Sequence, residues 1–508
     1  MTTSRNDEIR FILDGEVKTV RQIDPNTTVL DYLREHLRRT GTKEGCAEGD
    51  CGACTVVLGE LDGDRVRFRA INSCIQFVPT LDGKELFTVE SLRAPDGALH
   101  PAQRAMVECH GSQCGFCTPG IVMSLFALFK SEVDPSRDRI NNLLAGNLCR
   151  CTGYRPIVDA AREMYTYDKV SNGSWTQQPF SASEGTVVGS AEHEMIGRLR
   201  DIQRQGVLAF KGPSIGGGKH SYFAPTDLLE LAELVQRHPN AIILAGGTDV
   251  GLWVTKSHMD LETIIYIGNV GELKQLQVTD THIEMGAGVT VTDAHDVIAE
   301  HYPDMGEMYR RFASPPIRNA ATIGGNIANG SPIGDSMPGL ISLGTSIVLR
   351  SGEKTRELPL EEFYLAYQKT ALAKGEFLER VCIPLASPEL QFSTYKISKR
   401  FDQDISAVCA AFCLRLDDGR VDDIRVCYGG MAEIPRRAAE CEKTLIGQVW
   451  NADTIARGME AVDRDYEPIR DMRASAEYRR LVARNLLRKF FLETSGFAGE
   501  TRLIEHGR

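Results

Sequence analysis

Four cysteines near the N-terminus have a spacing that suits an iron–sulfur cluster. Four residues separate Cys46 from Cys51, two separate Cys51 from Cys54, and Cys74 follows after 19 more. A two-iron cluster needs four converging thiolates, and C-x4-C-x2-C…C is the plant-type spacing for a 2Fe–2S cluster. The glycines of GCAEGDCGAC permit the tight turns of such a ligand loop. A structural zinc site is the alternative, although zinc loops usually pair their ligands in two knuckles, which this triplet does not do.

A second set of four cysteines lies further along the chain. Two residues separate Cys114 from Cys117, and after 31 more come Cys149 and Cys151, with Arg150 alone between them. Paired cysteines of this kind could bind zinc or form a redox-active disulfide. A single intervening residue is unusual for a zinc knuckle, so beside the first set we expect a second 2Fe–2S cluster.

The remaining cysteines have no such spacing. Nine of the 14 cysteines lie between residues 46 and 151, and Cys109 is the one that neither set uses, so we expect it to be a spare or buried thiol. The other five lie largely in strand-like, apolar surroundings that predict core packing, and they are Cys382, Cys409, Cys413, Cys427 and Cys441.

The composition indicates a protein of a reducing compartment. The polar start MTTSRNDEIR lacks the apolar segment of a signal peptide, and the longest apolar run, Ile121–Phe129, is far shorter than the ~20 residues of a spanning helix. We therefore expect a cytoplasmic protein with no membrane partner, whose clustered cysteines bind metal. The net charge of −11 argues against a nucleic-acid partner, which needs a basic surface.

Two glycine-rich segments are candidates for binding phosphate groups. AGGTDVG, residues 245–251, follows a predicted strand, and ATIGGNIANGSPIGD, residues 321–335, is dense in Gly, Asn and Ser. The first matches neither the GxGxxG motif nor a P-loop. Successive backbone N–H groups in such segments could hold a pyrophosphate. Two ordinary turns would explain the same letters, and the residues alone leave this choice open.

The elements that must position these residues change in type along the chain. Ile9–Leu13 and Val17–Ile23 flank an Asp-Gly turn and predict a β-hairpin, with a short helix and two strands around the first cysteine set. Helical spacing of apolar residues then predicts a small bundle that carries the second set. After a stretch rich in Ser and Gly, a mixed pattern returns, in which Thr226 is expected to cap a helix over Asp227–Gln236.

Longer strings around these residues resemble one family. GSQCGFCTPG (111–120) and AGNLCRCTGYRPI (145–157) resemble the all-helical iron–sulfur module of the molybdenum hydroxylases, and TKEGCAEGDCGACTV (42–56) resembles the ferredoxin module before it. Both glycine-rich segments, with FASPPIRNAATIGGN (312–326), resemble the flavin domain of xanthine dehydrogenases and related carbon monoxide dehydrogenase flavoproteins. The resemblance implies FAD contacts at Ile243, Leu244, Ala245, Gly246, Gly247, Thr248, Asp249, Val250, Phe312, Thr322, Ile323, Gly324, Gly325, Asn326, Asp335, Leu378 and Lys396.

With this resemblance, we predict an α+β multidomain chain. The expected domains are a β-grasp 2Fe–2S ferredoxin domain over 1–85, an all-helical 2Fe–2S domain over 86–167, a linker over 168–220, an α/β FAD-binding domain over 221–390, and an α+β C-terminal flavoprotein domain over 391–508. SKRFDQDISAV (398–408) resembles the mobile loop near the flavin that controls access of NAD, and Asp249 matches an acidic residue on the nicotinamide side.

The resemblance implies an electron-transfer role. Because eukaryotic relatives continue into a molybdenum domain and this sequence ends at Arg508, we expect the small subunit of a split bacterial xanthine dehydrogenase, with a molybdopterin-binding large subunit as its partner in a heterotetramer. Electrons from hypoxanthine or xanthine, oxidised on the partner, would pass through both clusters and FAD to NAD, so no residue here is expected to act on the purine. The alternatives are the same relay in an aldehyde or N-heterocycle hydroxylase, and a non-enzymatic redox sensor or zinc-stabilised scaffold.

Overall fold

The chain folds into two units in the computed structural model, which describes residues 6–94, 96–167, 190–214 and 216–501. The first unit contains Met1–Gly271 and Ala313–Ala321, and the second contains Glu272–Phe312 and Thr322–Arg508. Within the described ranges, every helix is too short or too polar to cross a membrane.

Twenty strands form five sheets in the described part of the chain. They are β1 (Ile9–Leu13), β2 (Glu16–Val20), β3 (Thr55–Asp62), β4 (Arg65–Asn72), β5 (Glu85–Phe87), β6 (Leu208–Pro213), β7 (Lys219–Ala224), β8 (Ile242–Leu244), β9 (Thr263–Tyr266), β10 (Leu276–Val278), β11 (His282–Gly286), β12 (Ser346–Ser351), β13 (Lys354–Pro359), β14 (Tyr364–Ala366), β15 (Lys369–Thr370), β16 (Phe377–Pro384), β17 (Gln391–Ile397), β18 (Val408–Asp417), β19 (Arg420–Gly429) and β20 (Arg436–Arg437).

Sixteen α-helices accompany these strands in the same ranges. They are α1 (Val29–Asp31), α2 (Pro101–Glu108), α3 (Thr118–Phe129), α4 (Arg137–Leu144), α5 (Arg155–Glu163), α6 (Ser190–Ile202), α7 (Leu228–Arg237), α8 (Val250–Thr255), α9 (Val291–His301), α10 (Pro303–Arg310), α11 (Pro315–Arg318), α12 (Ile323–Asn329), α13 (Ser336–Ser342), α14 (Ala439–Leu445), α15 (Ala452–Asp465) and α16 (Ala476–Thr494).

The N-terminal sheet has the strand order β2-β1-β5-β3-β4, with β1 and β5 parallel. The predicted hairpin of β1 and β2 is present, and its turn residues Asp14 and Gly15 both have positive φ, as a tight hairpin turn requires. Helices α2 to α5 share a buried core with one face of this sheet. The expected α+β multidomain architecture is therefore confirmed.

The predicted linker contains regular structure in its described part. Helix α6 and strand β6 lie within 190–220, β7 begins at Lys219, and residues 168–189 lie outside the described residues. Met195, Leu199 and Ile202 lie on one face of α6 and are buried with residues of the N-terminal sheet. The apolar residues of this face indicate a short helix from about Met195 in the sequence itself, but the Ser- and Gly-rich residues around it are typical of a linker.

One further expectation about a helix is corrected. Asp227, rather than Thr226, caps α7, because its carboxylate accepts a hydrogen bond of 2.9 Å from the backbone N–H of Glu230. Near the C-terminus, α15 and α16 pack with α14 on the β17-β18-β19-β20 sheet. In the first unit, four strands in the order β6-β7-β9-β8 form a second sheet beside α7 and α8.

Candidate redox sites

The first cysteine set converges at one end of the β3–β4 pair. Three of its members precede β3, Cys74 follows β4, and the pairing of Thr55 with Asn72 brings Cys54 beside Cys74. Thiol hydrogen bonds link Cys51 to Cys46, Cys46 to Cys74, and Cys74 to Cys54. The hydrogen bonds from Cys51 and Cys74 hold the pKa of Cys46 well below its ordinary value and, in turn, raise the pKa of these two thiols.

Donors from the protein also point at these sulfurs. The backbone N–H of Cys51 donates to Cys46 Sγ over 3.3 Å, and Asn72 Nδ2 donates to Cys54 Sγ over 3.8 Å. Such bonds, together with burial, tune the reduction potential of an iron–sulfur cluster. Gly49 and Gly52 have φ of 78° and 72°, so the turns of the ligand loop need residues without a side chain.

The second cysteine set is formed by the two loops that lead into α3 and α5. Cys114 is paired by a hydrogen bond with Cys151, and Cys117, at the start of α3, with Cys149. Burial, and then the hydrogen bond to Cys149, raise the pKa of Cys117 to about 12. Cys114 and Cys151 are exposed whereas Cys149 is buried, so one edge of this site faces the surface of the unit.

The sulfur geometry fits two-iron clusters better than zinc. A tetrahedral zinc ion with Zn–S bonds of about 2.3 Å would hold all four sulfurs roughly 3.8 Å apart. In the described ranges, the one set of three or more metal-binding side chains with ligand atoms all within 4.8 Å of one another is Asp24, His220 and Asp260, which includes no cysteine. Pairs of close sulfurs match the two ligands that each iron of a 2Fe–2S cluster takes from the protein.

The two cysteine sets are directly connected. The backbone N–H of Leu148, the neighbour of Cys149, donates to the carbonyl oxygen of Cys51 over 3.0 Å. Asn147, 1% exposed, donates from Nδ2 to the carbonyl oxygen of Gly52 over 3.1 Å. A Cβ at Gly52 would collide with the carbonyl oxygen of Gly146, so this approach requires glycine.

The first glycine-rich segment lies against the first cysteine set. Gln76, two residues after Cys74, donates from Nε2 to the carbonyl oxygen of Gly246 over 2.5 Å. A Cβ at Gly247 would lie 2.9 Å from the carbonyl oxygen of Ile75, and Gly247 has a φ of 73°. These glycines therefore allow the backbone of the segment to approach the cluster ligands closely.

Helix α8 extends this contact. Thr255 Oγ1 donates to the carbonyl oxygen of Ala47 over 2.8 Å, and Lys256 Nζ donates to the carbonyl oxygen of Cys46. No local pattern in the sequence marks these two residues or Gln76, because each has its partner more than 150 positions away.

The second glycine-rich segment begins helix α12 in the second unit. Thr322 caps this helix, with Oγ1 accepting from the backbone N–H of Gly325 over 2.9 Å. Gly324 packs on the backbone of Ala287, where a Cβ would collide. Asn326 Oδ1 is buried and has no hydrogen-bond partner among the residues that the structure describes, which fits a segment that completes its hydrogen bonds with a bound cofactor.

Asp335 and Lys396 form a buried ion pair in the second unit. Asp335 also accepts a hydrogen bond of 2.5 Å from Ser406 Oγ, inside the segment 398–408. Leu378 is buried on β16, and Phe312 packs with its ring centroid 6.3 Å from that of Tyr309.

The expected FAD residues are divided between the two units. Residues 243–250, including the exposed Asp249, belong to the first unit, and the expected FAD residues from Phe312 onward belong to the second. Their contact with a common cofactor stays a prediction.

Family models account for most of the chain. Residues 11–78 match the 2Fe–2S iron–sulfur cluster binding domain, and residues 88–162 match a second 2Fe–2S binding domain. Residues 216–386 match the FAD binding domain in molybdopterin dehydrogenase, and residues 393–494 match the CO dehydrogenase flavoprotein C-terminal domain.

Known proteins with similar sequences and structures agree with these models. The chain is 32% identical to xanthine dehydrogenase of Emericella nidulans, over 92% of this chain and 37% of that protein, and 32% identical to xanthine dehydrogenase 1 of Arabidopsis thaliana, over 94% and 39%. It thus spans about two fifths of these relatives. Among solved structures, reconstituted CO dehydrogenase from Oligotropha carboxidovorans is similar to 54% of this chain and 96% of its own chain, with a TM-score of 0.50 and 26% sequence identity. Quinoline 2-oxidoreductase from Pseudomonas putida 86 is similar to 55% of this chain and 98% of its own chain, with a TM-score of 0.50 and 25% sequence identity.

The order of domains and the two converging cysteine sets define an iron–sulfur flavoprotein. More particularly, the chain belongs to the molybdenum hydroxylase family and carries its iron–sulfur and FAD electron-transfer domains.

Proposed function

We propose that this chain is the electron-transfer subunit of a xanthine dehydrogenase. It would relay electrons from a molybdenum centre on a partner chain, through the cluster of Cys114, Cys117, Cys149 and Cys151 and then that of Cys46, Cys51, Cys54 and Cys74, to FAD and NAD. When bound, the clusters supply one-electron and FAD two-electron chemistry.

The contact between the two cysteine sets carries this proposal. The hydrogen bond from Leu148 to the carbonyl oxygen of Cys51 joins the second ligand set to the first, and that from Gln76 joins the first to the glycine-rich segment at Gly246. Three candidate cofactor segments therefore follow one another in a single unit, which is the order that a relay needs.

The residues of this chain would bind and tune cofactors, and none would transfer protons to a purine. The cysteines would bind iron, while residues 243–250 and 322–326 would hold the FAD diphosphate. Asp335 and Lys396 would contact the same cofactor. Their charges already balance each other in a buried ion pair.

The partner and acceptor belong to the same proposal. The relatives named xanthine dehydrogenase support purine oxidation by a molybdopterin-binding large subunit. We further propose a heterotetramer, NAD as the acceptor and a cytoplasmic location. A relay serving another hydroxylase is the second candidate, which the similarity to quinoline 2-oxidoreductase favours.

Electron paramagnetic resonance (EPR) tests the cluster assignment. The reduced, purified protein should give two distinguishable 2Fe–2S signals and contain about four irons for each FAD. Cys114→Ser should abolish or alter one signal and leave the other, whereas Cys109→Ser, which changes a thiol outside both sets, should leave both. The assignment would be contradicted if the purified protein contained zinc in place of iron. It would also be contradicted if Cys109→Ser lost both EPR signals while Cys114→Ser kept them.

Turnover tests the subunit role. The isolated chain should oxidise NADH with an artificial electron acceptor and fail to oxidise xanthine, which should require the partner chain. Xanthine oxidation by this chain alone would exclude the relay. If the reconstituted complex oxidises quinoline or an aldehyde but not xanthine, the second candidate replaces the first.

A further inference from the structure

Lys256 places a positive charge on the ligand loop of the first cysteine set. It follows helix α8, and its Nζ donates to the carbonyl oxygen of Cys46. The neighbouring Thr255 donates from Oγ1 to the carbonyl oxygen of Ala47 over 2.8 Å. Both residues come from the flavin-domain sequence, so that domain contributes directly to the surroundings of the first cluster.

The acidic side chain of Glu48 lies near this cation. Glu48 Oε2 lies 3.8 Å from Lys256 Nζ, and the two side chains are 44% and 42% exposed. Solvent weakens such a pair, so it does not cancel the effect of the lysine on the carbonyl group that it contacts. Glu48 lies in the same ligand loop, two residues after Cys46.

Reduction of a 2Fe–2S cluster adds one electron and therefore one negative charge. A fixed cation on the ligand loop stabilises the reduced form more than the oxidised form, and an anion does the reverse. Polarisation of the Cys46 carbonyl group by Lys256 acts in the same direction as the lysine charge.

We propose that Lys256 is a positioning and potential-tuning residue for the cluster of the first cysteine set. It raises the reduction potential of that cluster, so that a larger fraction of the cluster is in the reduced state. This cluster is the one that lies beside the glycine-rich segment of the flavin domain. Glu48 limits this increase. The inference rests on the proposed function, because it requires that the first set binds a 2Fe–2S cluster.

A redox titration followed by EPR tests the inference on the holoprotein. In Lys256→Gln, the ratio of reduced to oxidised first cluster at a fixed ambient potential should fall about three- to tenfold, where tenfold corresponds to 59 mV for one electron. The signal of the second cluster should titrate as in the wild type. Glu48→Gln should shift the ratio of the first cluster upward, which gives an independent result if the lysine variant does not assemble.

Two matched variants separate charge from packing. Lys256→Arg keeps the charge and should keep the wild-type potential, and Thr255→Val removes the neighbouring neutral hydrogen bond and should shift the potential far less than Lys256→Gln. An unchanged potential in both Lys256→Gln and Glu48→Gln would overturn the inference, as would equal shifts in the Gln and Arg variants. Absence of two iron–sulfur signals in the wild type would instead overturn the proposed function.

Discussion

At the scale of single residues, Asn147 joins the two cysteine sets. Its Oδ1 accepts from Ser124 Oγ over 2.6 Å, and its Nδ2 donates to the carbonyl oxygen of Gly52 and to Thr55 Oγ1, each over 3.1 Å. The side chain thus links α3, the first ligand loop and β3 without meeting water. Burial of such an amide costs little free energy of folding while all its hydrogen bonds are made. The cost becomes large when one hydrogen-bond partner is removed.

Asn147→Ala should destabilise the first unit. The substitution leaves Ser124 without its hydrogen-bond acceptor, and we expect the free energy of unfolding to fall by about 2–3 kcal/mol. Each kcal/mol should lower the thermal midpoint by roughly 2–4 °C. The midpoint is measured by circular dichroism on the holoprotein. Asn141→Ala, at an exposed position on α4, serves as the control and should change stability by less than about 0.5 kcal/mol. Equal midpoints for the two variants would show that the Asn147 bonds do not hold the modules together.

At the scale of elements, helix α6 covers part of the N-terminal sheet. It packs against β1, β3 and β4, and Leu199 is fully buried in the shared core. Arg204, just after the helix, forms a buried ion pair of 2.9 Å with Asp82. Helix α6, inside the segment that was expected to be a linker, therefore shares the buried core of the N-terminal sheet.

Substitutions on opposite faces of α6 should have opposite effects. Leu199→Ala creates a cavity in the core and should cost about 2–5 kcal/mol of stability. Gly197 is exposed, and a Cβ at this position would point into open space, so Gly197→Ala should gain up to about 1 kcal/mol of helix propensity. Chemical denaturation of the two variants compares them directly, and a neutral Leu199→Ala would mean that α6 is not packed on the sheet.

At the scale of the whole molecule, a buried histidine links the ferredoxin-like sequence to the flavin-domain sequence inside the first unit. His220 on β7 lies between two carboxylates, with Nδ1 2.9 Å from Asp24 Oδ1 and Nε2 3.1 Å from Asp260 Oδ1. Asn26 and Ser214 are the polar neighbours of these carboxylates. Burial alone would lower the pKa of His220, but the hydrogen bond and charge of Asp24, with those of Asp260, raise it.

This cluster should make stability depend on pH. Because the folded-state pKa of His220 is raised, its contribution is complete below the unfolded value of about 6.5 and is lost as the pH rises through the folded pKa. The pKa of Asp24 is lowered, with hydrogen bonds from His220 and Asn26 outweighing burial, so its contribution is lost at acid pH instead.

Thermal midpoints across the neutral and mildly alkaline range check this expectation. The midpoint of the wild type should fall as the pH rises above about 6.5, and His220→Gln should remove that part of the dependence. His282→Gln, in the second unit, should retain it. A slope that persists unchanged in the His220 variant would assign the pH dependence to other groups.

The amino-acid sequence by itself determined the local chemistry of this protein. The spacing of Cys46, Cys51 and Cys54 predicts the ligand loop because three ligands on one short loop need only local turns. The hairpin turn at Asp14-Gly15 was predictable for the same reason, whereas the cap at Asp227 was misassigned by one residue.

Only the tertiary structure decided how these parts meet. Asn147 contacts a residue 95 positions away, and Lys256 reaches the carbonyl oxygen of Cys46 across 210 positions. Helix α6 likewise packs on a sheet whose last strand, β5, lies far before it in the sequence. Such contacts form only when elements that are distant in the sequence pack closely together, in places because a glycine lets two backbones approach. The local spacing of residues therefore does not predict them.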